Sequence, residues 1–182
     1  MRRVDKLAGR AAAWLALGPN EVRVTRCAAL LHDLGKVLIP PSILNKPGKL
    51  SEGEWAIVRR HPEIGAELLS KISGFERVRE VIATHHERPD GGGYPAGLPS
   101  KDIPIEACLI AVADAYDAMT TDRPYRKALS HDKAIEQLNL GAGSQFDPNA
   151  VEAVEATLIQ VPDEDLGSPL QAVVRKKTTR GR

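Results

Sequence analysis

From Val4 to Ile159 the apolar residues recur at intervals of three and four, and no alternating stretch of strand length interrupts them. This periodicity constrains the fold most. A repeat near 3.6 lays an apolar stripe along a helix, whereas a half-buried strand needs a repeat of two. Val4, Leu7, Ala8, Ala11, Trp14 and Leu15 form one such stripe, which Gly18-Pro19-Asn20 ends. Val24, Cys27, Ala28 and Leu31 carry a second helix into His32-Asp33. Ser51 with Glu54 three residues on is a capping box, opening a helix through Trp55, Val58, Ile64 and Leu68. Pro62 inside that pattern predicts a kink or break near His61. Further helices are expected over Phe75–Glu87, Ile105–Thr120, Asp132–Leu140 and Pro148–Ile159, the last with Asp147 at its N-cap. The proline-rich Leu38–Lys49 and glycine-rich Pro89–Pro99 segments read as loops. The expected fold is all-α, a single-domain bundle of about seven helices.

Length and charge bound the function. At 182 residues with 42% apolar content the chain can build one core. Its 25 basic and 24 acidic residues give a net charge of +1, but five positive charges fall in the last eight residues, Arg175 to Arg182. Positions 1–174 are left with 20 basic against 24 acidic residues, a net −4. A nucleic-acid binder generally carries a strongly basic face, so that class is disfavoured. No run reaches the ~18–20 apolar residues of a membrane span, and no signal-peptide layout is present. The expectation is a soluble, cytoplasmic domain over residues 1–162, followed by a flexible basic tail over 163–182. Cys27 and Cys108, far apart and each in an apolar helical pattern, read as small core residues.

Four histidines and two aspartates stand where a bland core would not place them. His32-Asp33 closes an apolar helix, His61 precedes Pro62, His85-His86 ends another helix, and Asp114 interrupts the apolar run from Ala107. Each alone could be a hydrogen-bonded oddity. Together, imidazoles and carboxylates at the apolar ends of helices are costly unless something pairs with them, and divalent metals do so. Mixed nitrogen and oxygen ligation suits iron, manganese, zinc, cobalt or nickel. Six ligands are enough for two ions bridged by one carboxylate.

The motifs resemble a known family. Ala28-Ala29-Leu30-Leu31-His32-Asp33-Leu34-Gly35-Lys36 is similar to the HD phosphohydrolase signature. His85-His86-Glu87-Arg88-Pro89-Asp90-Gly91-Gly92-Gly93-Tyr94-Pro95 resembles the HHExxDGxGYP extension of the HD-GYP subclass. Blocks around Ile39–Leu50, Arg60–Gly65, Ala113–Thr120 and Asp122–Leu129 follow in the same order, so the likeness runs from about Val4 to Val161. The resemblance implies a cyclic di-GMP phosphodiesterase with two or three divalent ions, iron or manganese, yielding pGpG or GMP. It implies His32, Asp33, His61, His85, His86 and Asp114 as ligands, with Asp33 between two ions. A hydroxide held between those ions would attack phosphorus in line.

Around that set, Lys36 lies one helical turn after His32-Asp33 and can contact phosphate or donate a proton; the rival reading is a helix-end cation. Three consecutive glycines before Tyr94 let backbone approach a ligand, and the ring could stack on guanine or simply pack down. Arg123 and Arg126 could form a fork for phosphate or guanine, or pair with Asp122 or Asp117. Asp117 could alternatively orient a ligand histidine. His131 matches no family ligand and reads as a solvated residue.

One part of the family pattern is unmatched. The family's first helix supplies a Glu and a His ahead of an Arg-Val pair; Arg3-Val4 fits the pair, which places that His upstream of Met1. The chain is thus expected to be N-terminally short relative to the family, without the sensory or receiver domain commonly attached there. This leaves an alternative to catalysis: a catalytically weak module that binds cyclic dinucleotide, or that meets diguanylate cyclase-type proteins through the Gly-Tyr-Pro loop.

Overall fold

The computed structural model of the chain describes residues 2–122 and 127–159, and every helix or strand element among them is helical. In chain order these are α1 (Arg2–Trp14), α2 (Pro19–Leu31), α3 (Pro41–Leu44), α4 (Glu52–Val58), α5 (His61–Leu68), α6 (Glu76–Thr84), α7 (Ile105–Thr120), α8 (His131–Gly141) and α9 (Pro148–Ile159). Two 3-10 turns, Leu34–Leu38 and Ser100–Asp102, complete them. Nine helices stand among the described residues where about seven were expected. The long pattern from Ser51 divides into α4 and α5, and the loop after Ile39 contains the single turn α3. Residues 123–126 and the basic tail lie outside the described residues.

Local chemistry sets the boundaries. Pro19 opens α2 at a position where a missing N–H costs nothing, and the Gly18 N–H donates to Glu21 Oε2 at 2.7 Å. Ser51 and Glu54 make the expected reciprocal cap: Ser51 N–H donates to Glu54 Oε2 at 2.7 Å and Glu54 N–H to Ser51 Oγ at 3.3 Å. Asp147 Oδ1 accepts from Ala150 N–H at 3.0 Å, capping α9. Pro62, second in α5, has no N–H for the Val58 carbonyl four residues back, so the helix stops and restarts there.

The core sits where α7 meets α1, α2 and α9, with α8 alongside. Alanines dominate the contact surfaces: Ala8, Ala11, Ala12, Ala28, Ala107, Ala113, Ala150 and Ala153 are all buried. Small side chains let helix axes come close, and Leu7, Leu109, Ile110, Leu138 and Tyr116 fill the space between, each contributing about 1.5–3 kcal/mol by burial. Ion pairs cross-link the bundle, two of them through a buried carboxylate. Asp5 on α1 holds Arg26 on α2, and buried Glu106 on α7 receives a two-pronged Arg77 from α6 at 3.1 and 2.8 Å. Both cysteines are free thiols. No helix among the described residues is long and apolar enough to cross a membrane.

Candidate metal centre

Each of three histidines stands at the point where a helix runs out of hydrogen-bond partners. His32 follows α2, and its Nδ1 lies 2.8 Å from the Ala29 carbonyl. His85 follows α6, with Nδ1 2.7 Å from the Ile82 carbonyl. His61 uses the Val58 carbonyl at 2.8 Å, the one that Pro62 leaves without a donor. A carbonyl only accepts, so Nδ1 carries the proton in all three rings and Nε2 presents a lone pair. Three imidazoles are thereby locked into the ligand tautomer by their own helix ends.

Those lone pairs converge. His32, His61 and His85 are 2%, 1% and 0% exposed, so water does not solvate them. The Nε2 atoms of His61 and His85 are buried without any hydrogen-bond partner. Donor atoms of His61, His85 and His86 lie within 4.8 Å of one another. On the other side, His32 Nε2 is 3.6 Å from Asp33 Oδ2 and 3.7 Å from Asp114 Oδ1, and His61 Nε2 is 3.5 Å from Asp33 Oδ1. Lone pairs facing carboxylate oxygens beyond hydrogen-bond range repel one another unless a cation lies between. Spacings of roughly 3 to 4 Å are those of neighbouring ligands on one ion. The donor set therefore fits divalent metal.

Electrostatics separate the two aspartates. Burial works to raise Asp33, but His32, the Lys36 ammonium at 2.7 Å and His61 outweigh it and hold its carboxyl below the usual range. Asp114, partly shielded from water and close to Asp33, is pushed up. Burial drives His85 well below its ordinary value, with His86 and His32 adding to the effect, and lowers His61 as well. His86 falls to about 3, again chiefly through burial and then through the neighbouring His61. A histidine that resists protonation keeps its lone pair for a metal.

The expected ligands come together in one cluster, with Lys36 beside them. Arg123 and Arg126 fall outside the described residues. Tyr94 packs down: His86 stacks on it at 4.7 Å between centroids with planes 28° apart, and burial raises its hydroxyl to about 12. Asp117 orients no histidine among the described residues; it pairs with Arg3 at 3.3 Å, and backbone carbonyls do the orienting. His131 is exposed, but its Nδ1 lies 2.9 Å from the buried Tyr116 hydroxyl, so it is a hydrogen-bonded end of α8 as well as a solvated residue.

Two supports escaped the sequence reading. Glu87 is 4% exposed and accepts from the N–H groups of Ala96, Gly97 and Leu98 at 2.7, 3.2 and 3.0 Å. It pins the Gly-Tyr-Pro loop back on the His85-His86 corner, and Tyr94 N–H closes the same corner on the His86 carbonyl at 3.2 Å. Its signal was its position immediately after the two histidines. Gly35 carries no side chain because a Cβ there would stand 2.0 Å from the His61 carbonyl oxygen. The turn after Asp33 must press against the start of α5 for Asp33 to reach His61.

Comparison with known proteins agrees with this geometry. The HD domain family profile matches residues 1–150. The chain is 47% identical over 156 residues to the cyclic di-GMP phosphodiesterase response regulator RpfG of Xanthomonas campestris, covering 85% of this chain and 41% of that protein. It is 42% identical over 154 residues to the 3'3'-cGAMP-specific phosphodiesterase 2 of Vibrio cholerae, covering 84% and 30%. The chain thus spans less than half the length of these relatives. Among solved structures it is similar to an HDG"Y"P protein from Bdellovibrio bacteriovorus, with TM-score 0.70, 26% identity, and coverage of 86% of this chain and 50% of that one. With the His32-Asp33 pair facing His61, His85 and His86, and the Gly-Tyr-Pro loop folded onto them, the chain belongs to the HD domain family, in its HD-GYP branch.

Proposed function

We propose that this chain is a metal-dependent phosphodiesterase domain that hydrolyses cyclic di-GMP to pGpG or GMP. One observation carries the reading. The buried Nε2 atoms of His61 and His85 have no partner, and Asp33 and Asp114 face the same space. Two relatives that cover most of the chain are named for cleaving cyclic dinucleotides, which supports the substrate class. His32, Asp33, His61, His85, His86 and Asp114 would hold two or three divalent ions, with Asp33 shared because it reaches both His32 and His61. The nitrogen and oxygen donor mix accepts several divalent metals, and the family resemblance points to iron or manganese among them. Bound there, such ions supply charge against the phosphate oxygens and lower the pKa of water.

The chain's own residues do the rest. Backbone carbonyls hold three imidazoles in the ligating tautomer, so no reorganisation is needed when substrate arrives. Lys36, held at Asp33, offers a cation to phosphate or a proton to the leaving oxygen. Arg123 and Arg126 are assigned to the phosphates or guanines by the family motif they occupy. The test loads the protein with iron or manganese, measures bound metal, and follows cyclic di-GMP by chromatography. Appearance of pGpG or GMP supports the reading. Fully metal-loaded protein that leaves cyclic di-GMP intact overturns it in favour of a binding or docking module.

A further inference from the structure

From His86 outward runs a second wall, whose other members no ligand role explains. His86 stacks on Tyr94, and the Arg59 guanidinium lies 5.5 Å from the centre of the Tyr94 ring. The same guanidinium lies 5.9 Å from the ring of Trp55, one turn back along α4. Trp55 is a large aromatic left 47% exposed beside the site. Arg59 itself is exposed, follows the last residue of α4 as its C-cap, and stands two residues before His61.

The cations nearby are matched differently. Lys36 is paired with Asp33, and Arg88 with Asp90. Arg59 makes no ion pair among the described residues, and its guanidinium lies over two aromatic rings instead. A cation-π contact draws a guanidinium toward a ring face without using up its N–H donors, because ring faces satisfy charge but accept no strong hydrogen bond. A guanidinium with no carboxylate partner among those residues, set beside the candidate metal centre, suits a phosphate oxygen pair. Its place in the stack also matters. Arg59 reaches the ligand cluster through the Tyr94 ring, which stacks on His86, so it stands outside the group of donors that would hold the ions, where the phosphate being cleaved must sit. A cyclic dinucleotide has a second phosphodiester to offer at such a distance.

Resting on the function proposed above, we infer that Arg59, aligned by Trp55 and Tyr94, binds the non-scissile phosphate of the cyclic dinucleotide. It is a substrate-binding residue that selects a substrate with two phosphates over a simple diester. Trp55 is a positioning residue that acts through it.

The experiment compares metal-loaded wild type, Arg59→Ala, Arg59→Lys and Trp55→Ala on cyclic di-GMP and on bis(p-nitrophenyl) phosphate, which has a single phosphate. One charge-assisted contact corresponds to roughly a tenfold effect or more. Arg59→Ala is expected to raise KM for cyclic di-GMP about tenfold with kcat changed far less. The ratio of kcat/KM between cyclic di-GMP and the small diester should fall by about the same factor. Arg59→Lys should recover part of the ratio through charge alone, and Trp55→Ala should lower it about threefold. A ratio within twofold of wild type in Arg59→Ala, at wild-type metal content, overturns the inference and leaves the phosphodiesterase reading standing. A purely structural Arg59 would lower both activities together and keep the ratio. Wild type that cleaves the small diester but not cyclic di-GMP overturns the substrate reading itself, and the inference with it.

Discussion

Two walls of one site are built in different ways. The inner wall, His32, His61 and His85, is fixed by hydrogen bonds from each ring to the carbonyl three residues back in its own chain segment. The outer wall, His86, Tyr94, Arg59 and Trp55, is fixed by ring faces and by a loop that Glu87 holds from a distance in sequence. Local hydrogen bonding gives the inner wall one tautomer and one direction, as ligands require. Stacking gives the outer wall a plane but little directional rigidity, which suits contacts with a substrate that must enter and leave. Under the proposed function, the inner wall would serve metal alone, while the outer wall would also meet substrate, with His86 belonging to both.

The largest expected effect breaks the inner wall. His85→Ala should weaken metal binding by about a hundredfold or more, since loss of even an outer partner of a ligand costs about ten- to a hundredfold. Metal titration measures it, and affinity within threefold of wild type would remove His85 from the ligand set. A smaller effect belongs to the outer wall. Glu87→Ala leaves three loop N–H groups without their acceptor and should cost about 2–3 kcal/mol in urea unfolding. Turnover of cyclic di-GMP should drop while metal affinity stays within about fivefold. If metal affinity collapses instead, the two walls are one unit and the contrast fails.

The smallest effect is a pH dependence. His86 titrates at about 3 in the folded chain against an ordinary 6.5. As pH falls, the unfolded chain takes up this proton first, so stability is complete above pH 6.5 and is lost progressively toward pH 3. For the metal-free protein, His86 alone should remove about 2 kcal/mol by about pH 5. His85 and His61, also depressed, act in the same direction. Unfolding at several pH values checks this, and a flat profile from pH 7 to 5 would contradict the burial that both walls impose on their imidazoles.

Much of this was legible before any coordinates. The all-α class and the bounds of α7 and α9 follow from apolar spacing and from Asp147-Pro148, because helix formation is decided within a few residues. The break at Pro62 and the placement of His32, His61 and His85 at helix ends are local as well. Helix α3 was missed because one turn among prolines carries no periodic pattern. Asp117 was given a choice of partners because sequence carries no distances; only the packing of α1 on α7 brings Arg3 to it.

The sequence by itself determined which groups could bind metal and on which helix ends they stand, since these depend on residue type and on hydrogen bonds spanning three residues. Tertiary structure decided that the ends of α2 and α6, the start of α5 and the middle of α7 meet in one buried space. It also decided that Gly35 must press on the His61 carbonyl, and that the Arg59 guanidinium comes over the Tyr94 ring. Those outcomes depend on how helices distant in sequence pack, and packing answers to volume and burial across the whole core, not to any local run of residues.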